Sequence, residues 1–70
     1  HWRMQLNNWL QNRYRSTDLL TWNTSPSGQR HNAVWTAVAY INGVEYGRGT
    51  GPSQGAAKEV AAQKALDALT

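Results

Sequence analysis

The sequence predicts an α+β fold with the order α-β-β-β-α, a three-stranded antiparallel sheet with two helices packed on one face. Apolar residues recur at helical spacing at both ends of the chain. Between them lie β-branched and aromatic stretches, and Asn42-Gly43 is the strongest two-residue signal for a β-hairpin. The chain has 70 residues, enough for one small domain, so we expect residues 1–70 to form a single unit.

The first helix is predicted over residues 2–13, WRMQLNNWLQNR. Its apolar stripe consists of Trp2, Leu6, Trp9 and Leu10. The opposite face is rich in amides and almost uncharged, with the side chains of Met4, Gln5, Asn8, Gln11 and Asn12. Such a face is either ordinary solvated surface or a surface for polar contacts, and the helix alone does not decide between them.

Three strands are predicted over residues 19–24, 33–41 and 44–50, with a loop at 25–32 marked by Pro26 and Gly28. In the second strand Trp35, Ala37, Ala39 and Ile41 alternate with Val34, Thr36, Val38 and Tyr40. We expect the Trp35 face to be the core, since its small central residues leave room for a helix. The other face is unusually apolar for one that meets water.

The last helix is predicted from Ser53, a plausible N-cap, to Leu69. One stripe of it changes from polar to apolar, through Gln54, Lys58, Ala61, Ala62, Ala65 and Leu69. This change predicts that the first turn overhangs the sheet and exposes Gln54, Gly55 and Lys58. A helix N-terminus carries N–H groups without intrahelical partners and partial positive charge, so the overhang is a candidate anion site.

The stretch GRGTGPSQGAAK is glycine-rich, but it does not match a nucleotide-binding loop. No lysine follows a glycine at the spacing of a Walker loop, and the dinucleotide fingerprint fails at Pro52 and Gln54. Both loops also belong to parallel βαβ units rather than to an antiparallel meander. The acidic residues form no close pair and no Ser-His-acid grouping is evident, so we expect no catalytic residues, no metal and no cofactor.

Charge and composition favour a polyanionic partner. Seven Lys+Arg against four Asp+Glu give a net charge of +3 and a pI near 9.8. The lack of cysteine excludes thiolate metal sites and suits a reducing, intracellular location. No apolar run reaches the roughly 18 residues that a membrane span needs, and we expect neither membrane association nor a small-molecule substrate.

Several motifs, taken together, resemble the double-stranded RNA-binding domain family, and the resemblance covers nearly the whole chain. LNNWLQ (6–11) looks like the family's first helix, and GQRH (28–31) is similar to its G-P-x-H loop. NGVEYGRGTG resembles its second turn and third strand. SQGAAKEVAAQKAL is similar to its S-K-K-x-A-K-x-x-A-A-x-x-A-L pattern.

The resemblance implies binding to double-stranded RNA by shape, across a minor, a major and a second minor groove, with little dependence on sequence. The first helix and the loop between the first two strands would enter the minor grooves, while the start of the second helix would meet phosphates between them. The implied RNA-binding residues are Met4, Gln5, Asn8, Gln11, Gly28, Gln29, Arg30, His31, Gln54, Gly55 and Lys58.

Two departures from the family pattern leave an alternative open. Gln29 replaces the loop proline, and Gln54 with Gly55 replace two adjacent lysines, so that only Lys58 remains of three. Arg30 and Arg48 are candidates to compensate for the lost charge. The alternative function is a protein–protein interaction or dimerisation module, which pairs through the apolar face formed by Val34, Val38 and Tyr40 or through the edge of the third strand.

Overall fold

The predicted order of elements is confirmed by a computed structural model, which describes residues 1–15, 18–28 and 31–70. The strands form one antiparallel sheet in the order β1-β2-β3, and both helices pack on the same face. The elements are α1 (Trp2–Tyr14), β1 (Leu20–Ser27), β2 (Val34–Ile41), β3 (Val44–Gly51) and α2 (Gln54–Leu69).

The first strand is longer than the sequence predicts. It continues to Ser27 through Pro26, which pairs with Trp35 of β2, in a segment predicted to be a loop. A proline cannot donate a hydrogen bond, but β1 lies at an edge of the sheet, where one side of the strand has no neighbouring strand. Edge position therefore explains why the strand does not end at this residue.

The Asn42-Gly43 hairpin is confirmed in detail. Both residues have positive φ, 53° and 81°, as a type I′ turn requires. Asparagine and glycine adopt this region at low cost, and the turn fixes how β2 pairs with β3.

The glycines of β3 bring the backbone of α2 directly onto the sheet. A Cβ on Gly47 would collide with the Ala61 carbonyl oxygen and lie 2.6 Å from the Ala65 nitrogen. One on Gly49 would lie 2.5 Å from the Ala61 nitrogen. No real Cβ approaches so closely, so these glycines serve packing rather than phosphate binding.

The core lies between the helices and the sheet and is built mostly from alanine. Its fully buried residues are Leu6, Leu10, Ala37, Ala39, Ala57, Ala61, Ala62 and Ala65. Around this core pack Trp9, Trp22 and Trp35, each partly buried, whereas Trp2 is 37% exposed. Three of the four tryptophans therefore pack against the core rather than forming an exposed stacking platform.

The opposite face of the sheet is less open than the sequence suggested. Val38 is only 6% exposed, and its register partners there are Asn23 and Arg48. Val34 remains exposed, while Tyr40 is half-buried. The continuous apolar surface expected over Val34, Val38 and Tyr40 is therefore interrupted at its centre.

Candidate nucleic-acid interface

The polar side chains of α1 form an exposed ridge opposite its buried leucines. Met4, Asn8 and Gln11 are all exposed, and their spacing of four and three residues places them on one side of the helix. Gln5 is also exposed but lies on one flank of this ridge. The predicted polar face of α1 is thus present and accessible along its length.

The N-terminus of α1 is capped by α2. His1 precedes the helix without a side-chain capping bond, and the first turn contains no acidic residue. Glu59 Oε2 accepts a hydrogen bond from the Arg3 backbone N–H at 2.9 Å, which places a carboxylate at the positive end of the helix. This N–H holds the pKa of the Glu59 carboxyl below its ordinary value.

A groove runs between α1, β1 and the start of α2, and we call it the basic groove. Two cationic side chains, Arg3 and Lys58, line it from different helices, and the Glu59 carboxylate lies 3.9 Å from Arg3 Nε and 3.0 Å from the amine of His1. The residues that line it are His1, Arg3, Met4, Asn7, Trp22, Lys58 and Glu59. The groove therefore joins the polar ridge of α1, through Met4, to the first turns of α2.

Lys58 points from α2 toward β1. Its Nζ lies 5.7 Å from the centroid of the Trp22 ring, within the range of a cation–π interaction. The aromatic ring holds the ammonium group at the groove, and the interaction is weak enough to yield to a phosphate. At partly exposed sites it contributes about 0.5–1 kcal/mol.

The first turn of α2 begins as predicted at Ser53. The Ser53 hydroxyl accepts a hydrogen bond from the Ala56 N–H at 3.1 Å. Gln54 is exposed, but its amide Nε2 donates to Thr24 Oγ1 at 3.1 Å, which ties this side chain back to β1. The overhang is thus attached to the sheet, and Gly55 within it is half-buried.

Arg48 does not compensate for the missing lysines. Alternation along β3 directs Gly47 and Gly49 toward α2 and Arg48 toward the opposite face. There Arg48 Nη2 lies 3.1 Å from Glu45 Oε1, and this hydrogen bond raises the pKa of the guanidinium. The charge of Arg48 is engaged on the far side of the sheet.

The β1–β2 loop lies at the same end of the sheet as the start of α2. Gly28 has φ 92°, a conformation that favours glycine, and His31 is exposed. His31 shares a cavity with Gly51 and Pro52, the two residues that lead into Ser53 and α2. The other two predicted loop residues, Gln29 and Arg30, lie outside the described residues.

A second groove flanks α1 on its other side and contrasts with the first. It lies against the C-terminal part of α2 and is lined by Trp2, Gln5, Asn8, Trp9, Leu66, Asp67 and Thr70. None of the described residues that line it has a basic side chain. Gln5 therefore faces away from the basic groove, and Asn8 belongs to the exposed ridge and also lines this second groove.

Five members of the basic groove are not among the site residues predicted from the sequence: His1, Arg3, Asn7, Trp22 and Glu59. Arg3 carried a signal, because a cation in the first turn of a helix opposes the helix dipole unless an acidic group lies nearby. No sequence signal marks Glu59, because it reaches α1 only through the docking of the two helices.

Among the described residues no helix is long and apolar enough to span a membrane. Nor does that part of the chain contain a group of three or more His, Cys, Asp or Glu side chains arranged to hold a metal ion.

Comparison with known proteins identifies the matching family over almost the whole chain. Residues 2–69 match the model of the double-stranded RNA binding motif. The chain is also 36% identical over 52 residues to Ribonuclease 3 of Corynebacterium efficiens. That match covers 74% of this chain and 21% of the ribonuclease, so the chain corresponds to a small part of that protein.

Proposed function

The chain belongs to the double-stranded RNA binding motif family, and we propose that it binds RNA duplexes through α1, the start of α2 and the β1–β2 loop. The observation that carries this proposal is the spatial order of the three regions. The basic groove joins α1 to the start of α2, and the His31 cavity joins the loop to the other side of that start. The start of α2, for which we propose phosphate contacts, therefore lies between the two regions proposed for the minor grooves.

Each region has the chemistry that its proposed contact needs. The α1 ridge offers Met4, Asn8 and Gln11, whose thioether and amides suit 2′-hydroxyls and base edges in a shallow minor groove. The start of α2 offers N–H groups and Lys58 for phosphates. The loop offers His31 at an exposed position. Such contacts read duplex shape, so we expect little preference for sequence.

We assign no catalytic step to the domain itself. The matched family is a binding motif, and the ribonuclease relative shares only 21% of its length with this chain. The activity in that protein's name is therefore not transferred here. The alternative of a protein-interaction module has no observation in its favour, since Val38 at the centre of its proposed surface is buried.

Duplex length and sugar type test the proposal directly. Three separated contact regions should require about 16 base pairs for full affinity. We expect a gel-shift series to show weak binding to an RNA duplex of half that length and to a DNA duplex of the same sequence. Two RNA duplexes of unrelated sequence should bind equally. Equal affinity for the short RNA or for DNA would contradict the proposal.

A further inference from the structure

Arg3 lies beside the glycine at the start of α2, although the two residues are far apart in sequence. Arg3 Nη2 is 3.8 Å from the position that a Cβ on Gly55 would occupy. Resting on the proposed function, we propose that Arg3 supplies from α1 the second cation of the phosphate site, in the space where a side chain at position 55 would lie. The site would then be shared between two helices.

Glu59 positions the guanidinium for this role. Its Oε2 binds the Arg3 backbone N–H at 2.9 Å and its Oε1 lies 3.9 Å from Arg3 Nε. The first contact fixes where the side chain leaves α1, and the second is a longer electrostatic contact near the inner end of the guanidinium, since Oε1 lies closer, at 3.0 Å, to the N-terminal amine. A guanidinium has five donors in one plane, so this arrangement leaves the Nη end available to bind two phosphate oxygens.

The second cation of the groove faces the same space. Lys58 Nζ is held over Trp22, and both residues line the basic groove together with Arg3. A phosphate at the start of α2 would therefore meet one cation from each helix as well as the N–H groups of the first turn. The negative charge of Glu59 reduces the positive potential of Arg3 and Lys58, but its carboxylate also accepts a hydrogen bond from the backbone N–H of Arg3 in α1.

Because Gly55 has no side chain, the guanidinium of Arg3 can occupy the space beside it. A Cβ at 3.8 Å from Arg3 Nη2 makes an ordinary contact, so alanine fits without displacing the arginine. A lysine at this position would extend into the same region and repel the guanidinium. Arg3 and a lysine at position 55 should therefore substitute for each other rather than add their effects.

The first experiment removes the charge of Arg3 and keeps its backbone bond to Glu59. Arg3→Gln should weaken binding to an RNA duplex several-fold and reduce the slope of log affinity against log salt by about 0.9, the value per phosphate contact on a B-form duplex. Arg13→Gln is the matched control, because it makes the same change at an exposed position in the last turn of the same helix. An equal effect of both variants would overturn the proposal.

The second experiment tests whether a lysine at position 55 can replace the cation of Arg3. Gly55→Lys should change affinity little in the unmodified protein and should restore both affinity and salt slope in the Arg3→Gln background. Equal gains in both backgrounds would overturn the proposal. Urea unfolding of each variant separates a lost contact from a damaged fold.

Lys58→Ala distinguishes this inference from the proposed function. If the protein binds duplex RNA and Lys58→Ala weakens it while Arg3→Gln does not, only the role of Arg3 fails. If the unmodified protein shows no preference for RNA duplexes, the proposed function fails first.

Discussion

The middle of α2 and its first turn are attached to the rest of the domain by different kinds of contact. In the middle, the backbone of α2 at Ala61 and Ala65 lies directly against Gly47 and Gly49 of β3. Neither partner has space for another atom, so the fit depends on the absence of side chains.

The first turns of α2 instead rest on a few polar contacts at the surface. Gln54 binds Thr24 of β1, and Lys58 lies over Trp22. Each such contact contributes about 0.5–1.5 kcal/mol at most. Substitutions at the candidate phosphate site should therefore change its chemistry at little cost to folding, because the packing that secures α2 lies further along the helix.

The largest expected effect comes from adding one methyl group to the packed region. Gly47→Ala would place a Cβ 2.6 Å from the Ala65 nitrogen, and overpacking of this kind costs about 3 kcal/mol or more. Urea unfolding should show the loss. Gly55→Ala is the matched control at the start of α2. There an added Cβ would lie 3.8 Å from its nearest neighbour, Arg3 Nη2, so the substitution should be neutral or slightly stabilising. Similar losses of stability in Gly47→Ala and Gly55→Ala would contradict the difference between the middle of α2 and its first turns.

Removal of Lys58 should affect binding without affecting the fold. Lys58→Ala should lower affinity for duplex RNA uniformly across sequences and reduce the salt slope by about one unit. Lys64→Ala removes the same charge from an exposed position further along α2. Its effects on affinity and on the salt slope should be much smaller than those of Lys58→Ala. Anisotropy titrations at several salt concentrations measure both. If the two lysines behave alike, binding depends on net charge rather than on the groove.

Restoring a lysine at position 54 should give a smaller, opposite effect. Gln54→Lys adds a cation at the exposed start of α2 but removes the hydrogen bond to Thr24. We expect a salt slope steeper by up to about 0.9 and a loss of stability near 1 kcal/mol. Thr24→Val removes the same bond without adding charge. The stability losses should match, whereas only the lysine variant should bind RNA more tightly.

The smallest expected effect concerns the cap that α2 provides to α1. Because the native fold lowers the pKa of Glu59, its stabilisation is present above the ordinary value of 4.5 and is lost as pH falls through the lower native value. Glu59→Gln should cost about 0.5 kcal/mol at neutral pH and reduce the acid-dependent part of unfolding. Glu45→Gln, on the opposite face of the sheet, is the control and should leave that acid dependence in place.

The order of elements, the hairpin and the start of α2 follow from the sequence alone. These features depend on short-range physics: the period of apolar residues, the positive φ that Asn42-Gly43 adopts at low cost, and the capping hydroxyl of Ser53. The sequence also indicated the family, because its motifs occur in the right order along nearly the whole chain. It placed the end of β1 too early, because edge position, which permits Pro26 in the strand, depends on pairing between distant segments.

Which charges share a surface depends on the packing of helices and strands. Arg48 is close to α2 in the sequence, yet the alternation of β3 directs it to the far face and to Glu45. Arg3 is far from α2 in the sequence, yet the docking of α1 on α2 brings it beside Gly55 and Glu59. Periodicity fixes the face on which a residue lies within its own helix or strand, whereas the neighbour across that face depends on how two elements pack, and that packing is a property of the whole chain.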